Sequence, residues 1–174
     1  MPSRLPRKRL LRISQAKKSD VSSWMEGVSI EQASGETVSK VILSVAADRW
    51  GLGFEQRRQA NKLMTTRPPL YRNAVSRYYY AMYHAMRACC YVSHGGDDHQ
   101  DHRELPQHIP GDFAPAEDWQ SKLKNARTVR NQADYDPYPK SDRAFRTYAL
   151  ALKNDADRLL TLTRNYLRSK GCAL

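Results

Sequence analysis

A polar loop in the second half of the chain is rich in side chains that can bind metal ions or transfer protons. Within residues 94–108 it carries His94, Asp97, Asp98, His99, Asp101, His102 and His108. Imidazole and carboxylate groups are suitable ligands for zinc and other divalent cations. Their spacing matches no closed metal site, however, and the loop contains no cysteine. We therefore predict no metal site and no cofactor.

A single arginine interrupts the apolar stripe of a predicted helix. The stripe comprises Trp119, Leu123, Ala126, Arg130 and Ala133. One interpretation is structural, because Asp134 lies four residues after Arg130 on the same helix face, and buried charges persist when they are paired. The other is functional, because the planar guanidinium group matches the oxygens of a phosphate. The sequence leaves both interpretations open.

The positive charge of the chain is concentrated at its N-terminal end. The net charge is +11, and residues 1–18 contain no acidic residue. The basic residues of this arm are Arg4, Arg7, Lys8, Arg9, Arg12, Lys17 and Lys18. Such a segment displaces counterions from a polyphosphate, so we predict that the basic arm binds nucleic acid. The alternative is a solvated tail that only maintains solubility.

Length and composition indicate one domain with an extension. The 174 residues suit a helical domain at 41–170, preceded by a basic extension and linker at 1–40. The chain has no apolar run of 18 residues, so no membrane-spanning helix or membrane partner is predicted. Its three cysteines define no disulfide framework, and the N-terminus lacks the apolar core of a secretory signal. These features predict a cytoplasmic protein.

Helical periodicity occurs in four segments after the arm. Residues 20–40 have only a weak apolar stripe and are predicted to form a linker or a short helix. Val41–Met64 is predicted to be a broken helix, because Gly51 and Gly53 interrupt it. The clearest helix, Tyr71–Val92, is apolar on nearly every side. Such a helix belongs at the centre of a bundle.

Two further helices follow the polar loop. One is predicted to start near Pro115 or Ala116 and to end at Asp134. The other is predicted to begin at Ser141 as N-cap and to extend for about 28 residues. No alternating strand pattern competes with these helices. The predicted fold class is therefore all-α, an antiparallel bundle of four to five helices.

Two segments resemble a known family. Ala74–Tyr91 reads AVSRYYYAMYHAMRACCY, and Ala126–Pro139 reads ARTVRNQADYDPYP. Both are similar to the small stand-alone bacterial and archaeal proteins of the HEPN superfamily, and the resemblance covers about residues 44–168. It implies a helical bundle that often dimerises. It also implies a relation to metal-independent ribonucleases that act as toxins or in antiviral defence.

The resemblance also implies a site. The usual signature of the family is an arginine followed by a polar residue, with a histidine four to six residues after the arginine. Arg130 and Asn131 match the first two positions, whereas Asp134, Tyr135 and Asp136 occupy the positions of the histidine. The predicted catalytic residues are Arg130, Asn131, Asp134 and Tyr135, and Arg127 joins the predicted nucleic-acid-binding residues.

Metal-free RNA cleavage needs a base, an acid and a cation beside the transition state. The resemblance implies that Arg130 supplies the cation. Asp134 is a candidate base, although its charge would also repel phosphate. Tyr135 is a poor substitute for histidine in proton transfer, because a free phenol has a pKa near 10. One hypothesis is that His99 or His102 of the polar loop supplies the missing imidazole. His84, in the central helix, is predicted to be a core histidine.

Two function classes follow from these observations. The first is an RNA-directed effector of a toxin–antitoxin or antiviral defence system. It would bind RNA, with metal-independent cleavage as a candidate activity and a nucleotidyltransferase-like antitoxin as a candidate partner. The second is a non-catalytic interaction module that binds a protein or scaffolds a ribonucleoprotein assembly. In either class we expect a homodimer or a part of a larger complex.

Overall fold

The structure is a computed structural model that describes residues 6–174. The described chain is helical and contains no strand, which confirms the predicted fold class. The helices are α1 (Arg7–Ser14), α2 (Lys18–Ser34), α3 (Val38–Thr65), α4 (Tyr71–His94), α5 (Ala116–Tyr135) and α6 (Arg146–Ser169). Short 3₁₀ turns occupy Leu105–His108 and Asp142–Phe145. No helix in the described range has the length and apolar character to cross a bilayer.

The chain forms two compact units. The first ends at Ile42, and the second comprises Leu43–Leu174. In the first unit, α2 is a regular helix of 17 residues that ends at Gly35 in the left-handed conformation. The sequence had suggested a linker or a short helix at 20–40. Helix α2 has no buried residues, so it needs no apolar stripe facing a core, and this explains why the stripe in the sequence is weak.

Helix α3 corrects the prediction of a broken helix. It is continuous over 28 residues and passes through both Gly51 and Gly53. Gly53 is buried against α4, where a Cβ atom would lie 2.8 Å from the carbonyl oxygen of Ala81 and 3.1 Å from the amide nitrogen of Ala85. The glycine therefore permits close packing of two helix backbones. That packing offsets its low helix propensity.

We expect Gly53→Ala to destabilise the protein by about 1–3 kcal/mol, because the added methyl group overlaps backbone atoms of α4. Gly51→Ala is the matched control, since a Cβ at that position meets nothing within 4 Å. The control should stabilise the helix by about 0.5–1 kcal/mol. Denaturant unfolding measures both changes. Equal stabilities of the two variants would refute the close approach of α3 and α4.

Helix α4 forms the centre of the second unit, as its apolar sequence predicted. It contributes twelve buried residues to the core and contacts both α5 and α6. Tyr78 and Tyr79 are buried, whereas Tyr80 is only partly buried. The helix ends at Gly95, whose φ of 74° allows its N–H to donate to the carbonyl of Tyr91.

The start of the last helix differs from the prediction. Ser141 makes no side-chain cap and precedes the 3₁₀ turn, so that α6 begins at Arg146 and has 24 residues. The neighbouring Asp142 instead accepts hydrogen bonds from the backbone N–H groups of Tyr71, at 2.6 Å, and Arg72, at 2.9 Å. Asp142 thus satisfies donors at the N-terminus of α4, where the helix dipole favours a carboxylate.

Candidate active site

Arg130 lies on α5 within a network of polar side chains. Its side chain is 14% exposed, and Nε lies 2.7 Å from Oδ2 of Asp134. The Nε–H bond does not point at that carboxylate, so Nε has no hydrogen bond although the two groups form an ion pair. Nη1 donates to Oδ1 of Asn131 at 3.1 Å, and Nη2 donates to the hydroxyl of Tyr80. Three of the predicted site residues are therefore in contact.

Aromatic rings surround the same guanidinium group. Its Cζ atom lies 5.0 Å from the ring centroid of Tyr80, 5.4 Å from that of Tyr135 and 5.8 Å from that of Tyr79. Tyr135 is 70% exposed and therefore forms the solvent side of the site. These cation–π contacts hold the arginine in one orientation, and 14% of its side chain remains exposed.

Three contacts attach the polar loop to one face of α4. In order along the loop, Asp97 pairs with Arg87, the carbonyl of Gln100 accepts from the hydroxyl of Tyr83, and His102 bonds with Tyr79. The three helix residues are spaced by four, so they lie one turn apart on the same face. Arg49 adds a bidentate bond to Asp97, at 3.2 and 3.0 Å. The loop is thus held in register along α4.

This register brings His102 to the Arg130 network. Nδ1 of His102 lies 2.7 Å from the hydroxyl oxygen of Tyr79, and the imidazole centroid is 5.8 Å from that of the Tyr80 ring. Both tyrosines also contact Arg130. Of the two loop histidines that the sequence suggested, His102 is the one at this position. His99 instead stacks on His108 at 3.7 Å.

The environment lowers the pKa of His102 below its usual value of 6.5. Loss of solvent contributes most, and the positive charge of Arg130 comes next. Burial raises the pKa of Tyr79, which therefore stays protonated. His102 is neutral at pH 7 as a result, and a neutral imidazole has one nitrogen free to accept a proton. Which of its nitrogens carries the hydrogen depends on whether Tyr79 donates or accepts.

His84 is partly buried in the aromatic surroundings of α4 rather than fully enclosed in the core. Its ring centroid lies 5.1 Å from that of Tyr83 and 6.3 Å from that of Tyr80. Burial, followed by the charge of Arg87 and by His102, lowers its pKa to about 4. His84 is therefore uncharged at neutral pH and adds no positive charge beside Arg130.

The remaining loop histidines contact one another. Nε2 of His94 lies 2.9 Å from the carbonyl oxygen of His108, and the rings of His94 and His99 are 4.7 Å apart. Over residues 6–174, no group of three or more histidine, cysteine, aspartate or glutamate side chains is arranged to hold a metal ion.

The basic arm belongs to the first unit. Its described residues are Arg7, Lys8, Arg9, Arg12, Lys17 and Lys18, all of which are exposed. In the part of the chain that the structure describes, none of their side chains forms an ion pair. The predicted contact Arg4 lies outside the described residues. Arg127 is in the second unit, on α5 one turn before Arg130, and its charge contributes to the lowered pKa of His102.

Tyr79 and Tyr80 were not predicted as site residues. The signal that could have identified Tyr79 is the four-residue spacing of Tyr79, Tyr83 and Arg87, which places three polar side-chain ends along one face of a buried helix.

The fold and the site together define a small α-helical protein with a cationic, aromatic-lined cluster on its central helices. The HEPN domain model matches residues 53–168, about two thirds of the chain, and the protein therefore belongs to the HEPN family. This confirms the resemblance in the sequence. HEPN domains are generally associated with ribonuclease and RNA-binding effector functions. Searches of curated proteins and of solved structures found no match.

Proposed function

We propose that this protein is a cytoplasmic RNA-directed effector of a toxin–antitoxin or antiviral defence system, and that it cleaves RNA without a metal ion at Arg130 and His102. The observation that carries the proposal is the position of His102, which shares Tyr79 and Tyr80 as neighbours with Arg130. In this proposal, His102 of the loop takes the role of the histidine that is absent after Arg130 in the sequence.

Each group has a defined task in this reaction. In the tautomer in which Nδ1–H of His102 donates to the hydroxyl oxygen of Tyr79, Nε2 takes the proton from the 2′-hydroxyl group, whose oxygen attacks the adjacent phosphorus. Arg130 stabilises the negative charge that develops on the phosphoryl oxygens. The bond to the 5′-oxygen breaks, and the imidazolium of His102 is a proton donor for that leaving oxygen. The products are a 2′,3′-cyclic phosphate and a 5′-hydroxyl end. Asp134 and Tyr80 hold Arg130 in place.

Cleavage of a labelled RNA in excess EDTA tests this function. We expect 5′-hydroxyl and 2′,3′-cyclic phosphate ends, because the 2′-hydroxyl is the nucleophile. The same sequence made of DNA, which lacks that hydroxyl, should remain intact. Cleavage that requires added magnesium, or 5′-phosphate products, would contradict the proposed mechanism.

A second candidate is a non-catalytic HEPN module that binds a protein partner, such as a nucleotidyltransferase-like antitoxin, or that scaffolds a ribonucleoprotein assembly. The observation that favours it is the ion pair between Arg130 and Asp134, because this pairing accounts for a largely buried arginine without any role in catalysis. RNA binding without cleavage in the EDTA experiment would support this candidate. Either candidate is compatible with a homodimer or a larger complex.

The basic arm provides a separate prediction. Replacing Arg7, Lys8, Arg9 and Arg12 by glutamine should weaken RNA binding and reduce the slope of log K against log salt by up to about 3, since each phosphate contact in single strands contributes about 0.7. Fluorescence anisotropy at several salt concentrations measures both. Lys40→Gln is the control in the same unit, because Lys40 pairs with Glu36 at 2.9 Å. An unchanged slope would identify the arm as a solvated segment.

A further inference from the structure

A cationic and aromatic cavity lies between α3 and α6. Its volume is about 190 Å³, and its lining includes Trp50, Phe54, Arg57, Arg164 and Arg168. None of these side chains contacts Arg130 or His102 among the described residues. The cavity is therefore separate from the candidate active site.

The floor of this cavity is a fixed pair of aromatic rings. The rings of Trp50 and Phe54 are stacked, with centroids 5.8 Å apart and an interplanar angle of 23°. Nε1–H of Trp50 lies within hydrogen-bond distance of the carbonyl of Leu160, at 3.3 Å, and of Oγ1 of Thr163, at 3.1 Å. These bonds anchor the indole to α6. Phe54 is 41% exposed, so the ring pair is accessible from solvent.

Positive charge borders the rings on both sides. The Cζ atom of Arg164 lies 5.9 Å from the Trp50 ring, and that of Arg57 lies 5.9 Å from the Phe54 ring. Arg57 is paired with Asp157 at 2.6 Å. Arg164 is exposed and has neither an ion pair nor a side-chain hydrogen bond within residues 6–174. Its guanidinium group is therefore available to an anionic ligand.

We propose that this cavity is an anchoring site for single-stranded RNA, in which a base stacks on Trp50 and Phe54 while Arg164 binds the adjacent phosphate. Fixed aromatic rings beside a positive groove are the features by which proteins bind single strands without reading their sequence. Arg164 is exposed and has no ion pair within residues 6–174, which favours a ligand that carries negative charge at each unit, as RNA does. The inference rests on the proposed function in one respect, namely that RNA is the ligand.

Binding of an uncleavable strand tests the anchoring site independently of catalysis. The probe is a fluorescein-labelled oligoadenylate of about 10 nucleotides, long enough for a single-strand site, with methylated 2′-hydroxyl groups. We expect Phe54→Ala to weaken its binding by about 10-fold through lost stacking. Arg164→Glu should weaken binding by a similar factor of about 10 and should reduce the salt slope by about 0.7 or more.

Two substitutions on the same helices serve as matched controls. Leu52→Ala removes an exposed apolar side chain of α3 outside the cavity, and Arg158→Glu reverses an exposed charge of α6 outside it. Both should bind the probe like the wild type. Equal losses in controls and cavity variants would overturn the proposal, as would cavity variants that change the oligomeric state in sedimentation without changing affinity. Cavity-dependent binding without RNA cleavage would support the anchoring site and refute the proposed catalysis.

Discussion

We expect His102→Ala to lower the rate of RNA cleavage by about 10²–10⁴-fold, the range that a positioned proton-transfer group contributes. RNA affinity should change little, because neutral His102 adds no charge to the site. The rate should be measured under single-turnover conditions, so that it reports the chemical step rather than product release.

His99→Ala is the matched control, because His99 is a histidine of the same loop that stacks on His108 rather than on the Arg130 network. This variant should cleave RNA at nearly the wild-type rate. A His102→Ala variant that is as active as the control would remove His102 from the mechanism.

The pH dependence of the same reaction follows from the lowered pKa of His102. The base form of the imidazole is present above this pKa and is lost as the pH falls through it. The wild-type rate should therefore rise with pH along a limb whose midpoint lies below 6.5, and that limb should be absent in His102→Ala. A midpoint clearly above 6.5 would contradict the effects of burial and of Arg130 on this histidine.

We expect Arg130→Ala to lower the cleavage rate by about 10²–10³-fold, as loss of a single group that stabilises transition-state charge does. Arg130→Lys should restore little of the lost cleavage rate. The ammonium group cannot reproduce the planar fork that bonds at once with Asn131 and Tyr80. Wild-type activity in the lysine variant would show that any positive charge suffices and that the fork geometry is irrelevant.

Arg130→Ala should also lower the free energy of unfolding, which is measured separately from the cleavage rate. The substitution leaves Asp134 without its ion-pair partner, but the Asp134 side chain is 26% exposed and retains the hydroxyl of Ser76 at 3.3 Å. Water and Ser76 therefore compensate in part, and the free energy of unfolding should fall by about 1–2 kcal/mol rather than the 3–5 kcal/mol of a buried pair. Asp134→Asn in the Arg130→Ala background should recover some of this loss. A loss of 3–5 kcal/mol would favour the structural role.

Much of the second unit was predictable from helical periodicity. The central position of α4 follows from its apolar surface. The continuity of α3 was not predictable, because glycine in a sequence indicates a break whether or not another helix packs against it. Only the contact of Gly53 with the backbone of Ala81 distinguishes the two cases. Long-range packing determined this element where local propensity pointed the other way.

Of the candidate site, the sequence predicted the contacts within α5 but not the contact with the polar loop. The pairing of Arg130 with Asp134 follows from their i, i+4 spacing on one helix. The partner His102 lies in a loop far along the sequence from Arg130, and its position depends on three contacts between that loop and α4. No periodicity relates a loop to a helix, so the sequence left His99 and His102 as equivalent candidates.

The central claim is that His102 and Arg130 act on one phosphate, and a double-mutant cycle of cleavage rates tests it most directly. The four proteins are the wild type, His102→Ala, Arg130→Ala and the double variant, with single-turnover rates measured in EDTA. Groups that act as a unit are strongly non-additive. We therefore predict that the double variant cleaves RNA about as slowly as the slower single variant. A double variant whose loss equals the product of the two single losses would contradict a shared site.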